Sequence, residues 1–147
     1  MVMYIDIETD QKPEFESEDI MGIFDKLRKG TKSIFSFDEK NKQYKAVINN
    51  ITFVCKEIRP KYEQYAKDLA NNYDKKMLDI IQYMLSDIEE MFGISDVEII
   101  KNSLGNALID LDNNRLAYLE QTLDDVHIID VEFDGIFEKF YDVSIDG

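Results

Sequence analysis

A long amphipathic stretch in the middle of the chain constrains the fold most. Between Tyr62 and Met91, apolar residues recur every three or four positions, which is the spacing of one face of a helix. Pro60 suits the first turn, and Gly93 supplies the stop. The pattern predicts one helix over about 60–92, roughly 45 Å long at about 1.5 Å per residue. We interpret its tyrosines and methionines as core, and the alternative is that they line a ligand pocket.

The residues on both sides of this helix have the alternation and turn chemistry of short strands. Asn49 and Asn50 predict a two-residue hairpin turn between two of them. A capping box at Ser95 and Glu98 predicts a short helix over about 95–104. Another short helix is predicted over about 18–29. The predicted strands are residues 2–8, 33–37, 43–49, 51–58, 107–111, 116–121, 126–133 and 137–145.

These elements predict an α+β fold in which antiparallel β-meanders pack on one long central helix, with two shorter helices beside it. A length of 147 residues is typical of one domain, 1–147. The order of elements also repeats, because FSFDEKNKQY follows the first short helix and IDLDNNRLAY follows the last. The alternative organisation is therefore two helix-plus-meander modules, about 17–58 and 95–147, joined by the long helix.

The charge of the chain is strongly negative and unevenly distributed. The formal net charge is −14, and residues 68–147 hold nineteen acidic side chains against five basic ones. Such a protein repels nucleic-acid phosphates and anionic lipid headgroups. Direct binding to nucleic acid or to a membrane surface is therefore disfavoured.

Cysteine use and hydropathy indicate where the protein resides. Cys55 is the only cysteine, which excludes an intrachain disulfide, and we interpret it as a small buried hydrophobe. The first residues lack a basic segment followed by an apolar run, and no apolar window approaches the roughly 20 residues of a membrane span. We expect a cytoplasmic protein.

No sequence motif indicates a catalytic, cofactor or metal site. Asp110, Asp112 and Asn114 begin like a calcium loop, but Arg115 replaces the glycine that such a loop needs, so a hairpin turn is the better interpretation. The single histidine, His127, is interpreted as a satisfied core or edge residue. Zinc-ligand spacing and phosphate-binding loops are both missing from the sequence. We predict no catalytic residue, no metal and no cofactor.

The segment LEQTLDDVHIIDVEFDGIFEKFYDVSIDG concentrates the acids on predicted strands. In the predicted strand 126–133, Ile129, Val131 and Phe133 share one face with His127, and acids occupy the other. In size, acidity and lack of a catalytic motif the chain resembles the immunity proteins of bacterial toxin and immunity pairs, many of which are small α+β domains. The resemblance implies a non-enzymatic inhibitor that binds a basic toxin or nuclease. The predicted partner-binding residues are Glu120, Asp124, Asp125, Asp130, Glu132, Asp134, Glu138 and Asp142.

The sequence is also compatible with three alternative functions. A phage inhibitor that mimics nucleic acid would use the same acids in rows that follow phosphate positions. A metal-assisted hydrolase would use clustered carboxylates. A small-molecule-binding domain would use the tyrosines and methionines of the long helix around a pocket.

Overall fold

The computed structural model describes residues 33–147 of the chain. The predicted strand at 2–8 and the predicted helix at 18–29 lie outside the described residues. Ser36–Glu57 and Gln64–Gly147 together form one compact unit. The architecture given below is that of this unit.

Two helices are described, and both were predicted. Helix α1 spans Tyr62–Phe92 and helix α2 spans Val97–Ser103. Gly93 follows α1 with a φ of +72°, a left-handed conformation that glycine adopts without strain. One stripe of α1 is buried, as the helical spacing predicted. Its residues are Ala66, Leu69, Ala70, Tyr73, Ile80, Ile81, Met84 and Ile88.

Seven strands form a single sheet in which spatial order follows chain order. Every neighbouring pair is antiparallel except β3 and β4, which are parallel. Parallel neighbours need a long crossover connection, and α1 and α2 lie between these two strands in the chain. The α+β class is confirmed. The strands are β1 Ser36–Asp38, β2 Gln43–Ile48, β3 Ile51–Cys55, β4 Leu108–Asp110, β5 Arg115–Tyr118, β6 Ile128–Asp134 and β7 Lys139–Asp146.

The hairpin turns follow their local sequences. Asn49 and Asn50 have φ values of 52° and 66°, so the predicted two-residue turn forms with both residues left-handed. The β1–β2 and β4–β5 turns share one hydrogen-bond pattern. Asp38 Oδ2 accepts from Asn41 Nδ2 at 2.8 Å, and Asp110 Oδ2 accepts from Asn113 Nδ2 at 2.8 Å. The repeated order of elements in the sequence thus includes two turns with the same geometry.

Side chains of α1 contact one face of strands β5 and β7, and we call this side of the sheet the inner face. The hydroxyl groups of Tyr73 and Tyr118 are hydrogen-bonded to each other. The Tyr83 ring lies 5.5 Å from the ring of Phe140, centroid to centroid. Buried inner-face residues complete the core, and they include Phe53, Ile109, Leu116, Tyr118, Ile129, Val131 and Phe133.

The N-terminus of α2 differs from the sequence prediction. Asp96, not Ser95, is the N-cap, and its side chain accepts from the backbone N–H groups of Glu98 and Ile99 at 2.9 and 3.2 Å. The predicted capping box was therefore wrong by one position. Both residue types cap helices well, so the sequence pattern alone did not decide between these neighbours.

Alanine substitutions at the two positions should give different stabilities. We expect Asp96→Ala to lower the free energy of unfolding by about 1 kcal/mol, because two helix N–H groups lose their acceptor. Ser95→Ala should change it by less than about 0.3 kcal/mol. Urea unfolding followed by circular dichroism measures both values, and the reverse ranking would return the cap to Ser95.

Candidate functional site

The outer face of the sheet, opposite α1, carries the acids of β6. Ile129, Val131 and Phe133 point inward and are buried. The residues between them and after them, Asp130, Glu132 and Asp134, therefore point outward. The alternation predicted for this strand is confirmed.

Arg115 on β5 engages two of these carboxylates. It lies directly across from Glu132, and its Nη1 is 3.5 Å from Glu132 Oε1. Its Nε donates to Asp130 Oδ1 at 2.9 Å, and its Nη2 also bonds to that oxygen. Asp130 and Glu132 are therefore held by a guanidinium and do not stand as open charges.

A β-bulge in β7 places Asp142. The register shifts here, because Asp130 pairs with Ser144 whereas Glu132 pairs with Tyr141. Asp142 has a φ of 46°, and its carbonyl accepts from Arg115 Nη2 at 3.2 Å. Its side chain is exposed. Arg115 thus joins the bulge to the carboxylates of β6.

The turn between β6 and β7 brings Asp134 close to Glu138. This turn is a four-residue loop, because Asp134 pairs with Lys139. Asp134 Oδ2 accepts from the Tyr141 hydroxyl at 2.8 Å, a hydrogen bond that raises the pKa of Tyr141. Glu138 is exposed, and its backbone N–H donates to the Asp134 carbonyl at 3.0 Å. These acids mark one end of the outer face.

The loop between β5 and β6 holds the other predicted acids, and Asp124 is its internal anchor. Its Oδ1 accepts from the backbone N–H groups of Val126 and His127 at 3.1 and 3.0 Å. Burial opposes ionisation, but these donors and the His127 ring keep the pKa of Asp124 far below its usual value. Asp124 therefore organises the loop, whereas Glu120 and Asp125 are exposed.

Gln121 is the residue of this loop that sequence analysis missed. The prediction placed it at the end of a strand, but β5 ends at Tyr118 and Gln121 is 5% exposed. Its Oε1 accepts from the backbone N–H of Leu123 at 2.7 Å, and its Nε2 donates to the His127 carbonyl at 2.7 Å. A buried amide that closes a loop in this way has no distinctive sequence pattern.

His127 lies just before β6 and is satisfied by its neighbours. Its Nδ1 is 2.5 Å from Asp124 Oδ2. Its ring meets the Phe92 ring edge-on, with centroids 5.8 Å apart. The interpretation as a satisfied edge histidine is confirmed, although the residue precedes the strand in which it was predicted.

Three exposed apolar side chains lie in the β5–β6 loop or at the first residue of β6. Leu119 is 50% exposed, Val126 is 64% exposed and Ile128 is 41% exposed. Ile128 pairs with Asp146 of β7, so these two side chains share the outer face. We call Leu119, Glu120, Asp125, Val126, Ile128 and Asp146 the β5–β6 patch. Asp146 was not predicted as a site residue, because its position depends on the register of β7.

The candidate metal loop is a hairpin turn. Asp110 Oδ1 accepts from the backbone N–H groups of Asp112 and Asn113 at 3.0 and 3.4 Å. Asp112 Oδ2 accepts from the backbone N–H of Lys56 at 2.6 Å. Within residues 33–147, no three His, Cys, Asp or Glu side chains lie together as metal ligands. Cys55 is buried as predicted, and burial raises the pKa of its thiol to about 11.

Comparison with protein-family models, with curated proteins and with solved structures finds no match for the chain. Neither helix in the described part of the chain is long and apolar enough to cross a membrane.

Proposed function

We propose that the protein is a non-enzymatic binding module of the immunity type, which captures a basic toxin or nuclease in the cytoplasm. The acids of the outer face attract the partner, and the β5–β6 patch provides the area of close contact. Opposite charge across an interface raises the association rate and the specificity more than the affinity.

The β5–β6 patch is the observation that carries this proposal. Its three apolar side chains are at least 41% exposed, Glu120 and Asp125 belong to the same loop, and Asp146 of β7 pairs with Ile128. Exposed apolar residues rimmed by charge are typical of protein-binding surfaces. An acidic face alone would only steer a partner, whereas this patch adds apolar area that a partner can bury.

The ion pairs of the β6 carboxylates disfavour both metal chemistry and mimicry of nucleic acid. Asp130 and Glu132 share the guanidinium of Arg115, so their oxygens already have a cationic partner. A mimic of nucleic acid needs rows of open negative charge, and Arg115 interrupts the row on β6. The outermost acids of β6, Asp130 and Asp134, lie roughly 13 Å apart, at about 3.3 Å per residue over four residue steps.

In this proposal the β1–β3 meander and the β4–β7 meander both pack on α1. The contacts of Tyr73 and Tyr83 with the sheet support this for the β4–β7 meander. The buried inner-face residues Ile51, Phe53 and Cys55 support it for the β1–β3 meander. Within residues 33–147, such packing on the inner face leaves the outer face open to a partner.

Affinity capture from the cells that encode the protein tests the proposal. Wild-type protein should retain a basic protein that a Glu120→Gln/Asp125→Asn variant retains at least about fivefold less, because two open charges of the patch are removed. The captured protein is then purified, and its association rate is measured at about 0.05 M and about 0.5 M salt. The rate should fall at least about tenfold at the higher concentration.

Asp74→Asn/Asp79→Asn is the control, because it removes two exposed charges from α1 and leaves the patch intact. This variant should capture the partner as wild-type does. Equal loss in both variants would mean that only net charge matters. An association rate that does not change with salt would contradict the electrostatic proposal.

A further inference from the structure

A groove runs between the last turns of α1 and strand β7. Its volume is about 360 Å³, and its walls are Asp87, Glu90 and Met91 of the helix with Val143 and Ile145 of the strand. The groove opens on the inner-face side of β7 and is separate from the β5–β6 patch. The apolar walls and the two carboxylates define what it can accept.

Strand β7 is the edge of the sheet on this side. Among the seven described strands it pairs only with β6. The bulge at Asp142 divides it, and Ser144–Asp146 continues beyond the bulge in regular register with β6. An edge strand presents backbone N–H and C=O groups to any extended chain that approaches.

The alternation of side chains connects the strand edge to the groove. Val143 and Ile145 line the groove, whereas Ser144 and Asp146 pair on the outer face with Asp130 and Ile128. A chain added beside β7 would also place every second side chain on the groove side. One of its side chains would then enter between α1 and β7.

Lysine and arginine have the chemistry that this groove accepts. Their aliphatic stems pack on apolar walls, while their charged heads reach polar groups at the rim. Met91 is 48% exposed and offers such a wall, and Asp87 and Glu90 supply two carboxylates on the same helix. An acidic or wholly apolar side chain would leave these carboxylates repelled or unpaired.

We propose that an extended segment of a basic protein adds as a strand along Val143–Asp146 and inserts a lysine or arginine side chain into the groove. This goes beyond the proposed function, because the surface lies at the sheet edge and the occupant is a single extended segment. A second copy of the chain fits less well, since two groove rims would bring like charges together.

Titration of isotope-labelled protein with a designed peptide tests this inference. The probe is an acetylated, amidated heptapeptide in which lysine alternates with threonine. We expect saturable changes in the amide resonances of residues 87–91 and 143–146. Asp87→Asn/Glu90→Gln should weaken binding by about fivefold, because both rim charges are removed. The amide spectrum of the variant verifies that it is folded.

Matched controls separate groove binding from general attraction. Asp79→Asn/Glu89→Gln removes the same two residue types from α1 outside the groove, and it should weaken binding by less than about twofold. A peptide N-methylated at every residue keeps its charges but cannot donate backbone hydrogen bonds, so it should bind at least about fivefold more weakly.

Three results would overturn the inference. One is the absence of shifts at the groove, and another is an equal loss of binding in both charge variants. The third is a dimer of the protein whose interface holds these same residues. Glu120→Gln/Asp125→Asn should leave peptide binding within about twofold of wild-type. The proposal for the groove and the proposal for the β5–β6 patch are therefore tested independently.

Discussion

Tyr118→Phe is expected to lower the free energy of unfolding by about 1–3 kcal/mol at neutral pH, because it leaves a buried hydroxyl without its partner. Tyr118 is fully buried, and Tyr73 is 8% exposed. Their hydroxyl groups bond to each other between α1 and β5. After the substitution the Tyr73 hydroxyl stays in the core. The Tyr73 ring neighbours the apolar Phe137 ring, with the two ring centroids 5.9 Å apart. Urea unfolding measures the loss.

The double substitution Tyr73→Phe/Tyr118→Phe is the informative control. Removing both hydroxyls leaves no unsatisfied group, so the double variant should be more stable than Tyr118→Phe alone. A double variant that loses the sum of the two single effects would contradict this explanation. The hydroxyl pair would then stabilise the protein in its own right.

The same pair makes stability depend on alkaline pH. Burial raises the pKa of Tyr73 to about 12, and it raises the pKa of Tyr118 well above its ordinary value of 10. The folded protein keeps these protons at a pH where the unfolded chain has lost them. Their contribution is fully present below about pH 10 and is lost as the pH rises towards 12, by about 2–3 kcal/mol for Tyr73 alone.

Unfolding measured at several pH values between 9 and 12 tests this dependence. The double phenylalanine variant should show a shallower decline than wild-type, since neither position can ionise. Burial also raises the pKa of Cys55 to about 11 and of Tyr65 to about 12, so these groups account for the slope that remains. Equal slopes in the two proteins would show that the tyrosine pair does not titrate on unfolding.

Periodicity and turn chemistry were enough to predict the described elements. The stripe of α1 and the alternation of β6 arise from burial of one face, which the sequence records directly. The turn at Asn49 and Asn50 needs two left-handed residues, and asparagine accepts that conformation. Local chemistry determined these features, so local sequence predicted them.

Features that depend on strand pairing could not be predicted from the sequence. The parallel β3–β4 pair joins residues more than 50 positions apart, and nothing in either strand specifies its neighbour. The position of Asp146 on the outer face requires the β6–β7 register and its bulge. The choice of Asp96 over Ser95 as a cap depends on backbone angles that differ between adjacent residues.

The sequence predicted which face of β6 carries the acids of the candidate site, but it did not predict the contacts that these acids make. Alternation put Asp130, Glu132 and Asp134 on one face, as the structure has them. Sequence analysis predicted all three as partner-binding residues, whereas Arg115 on a neighbouring strand engages two of them. The Asp124 carboxylate is also engaged, because it accepts hydrogen bonds from backbone N–H groups of its own loop. Whether the face binds a partner stays a prediction.

Arg115→Gln is expected to lower the free energy of unfolding by about 2 kcal/mol. Asp130 and Glu132 would lose their shared cation and face each other as like charges on one strand. The carbonyl of Asp142 would also lose a donor at the bulge. The side chains of Arg115 and Asp130 are 32% and 21% exposed, so water compensates only part of the loss.

A double-mutant cycle separates the ion pair from the support of the bulge. If the Asp130 pair dominates, Arg115→Gln/Asp130→Asn should be more stable than Arg115→Gln, because the unpaired carboxylate is gone. Arg115→Lys keeps the charge but cannot form the planar set of bonds to Asp130, Glu132 and the bulge, so it should recover less than half of the loss. Full recovery by lysine would mean that charge alone matters. The β6–β7 register would then be fixed by its backbone pairing, and the guanidinium would only offset the negative charge of the outer face.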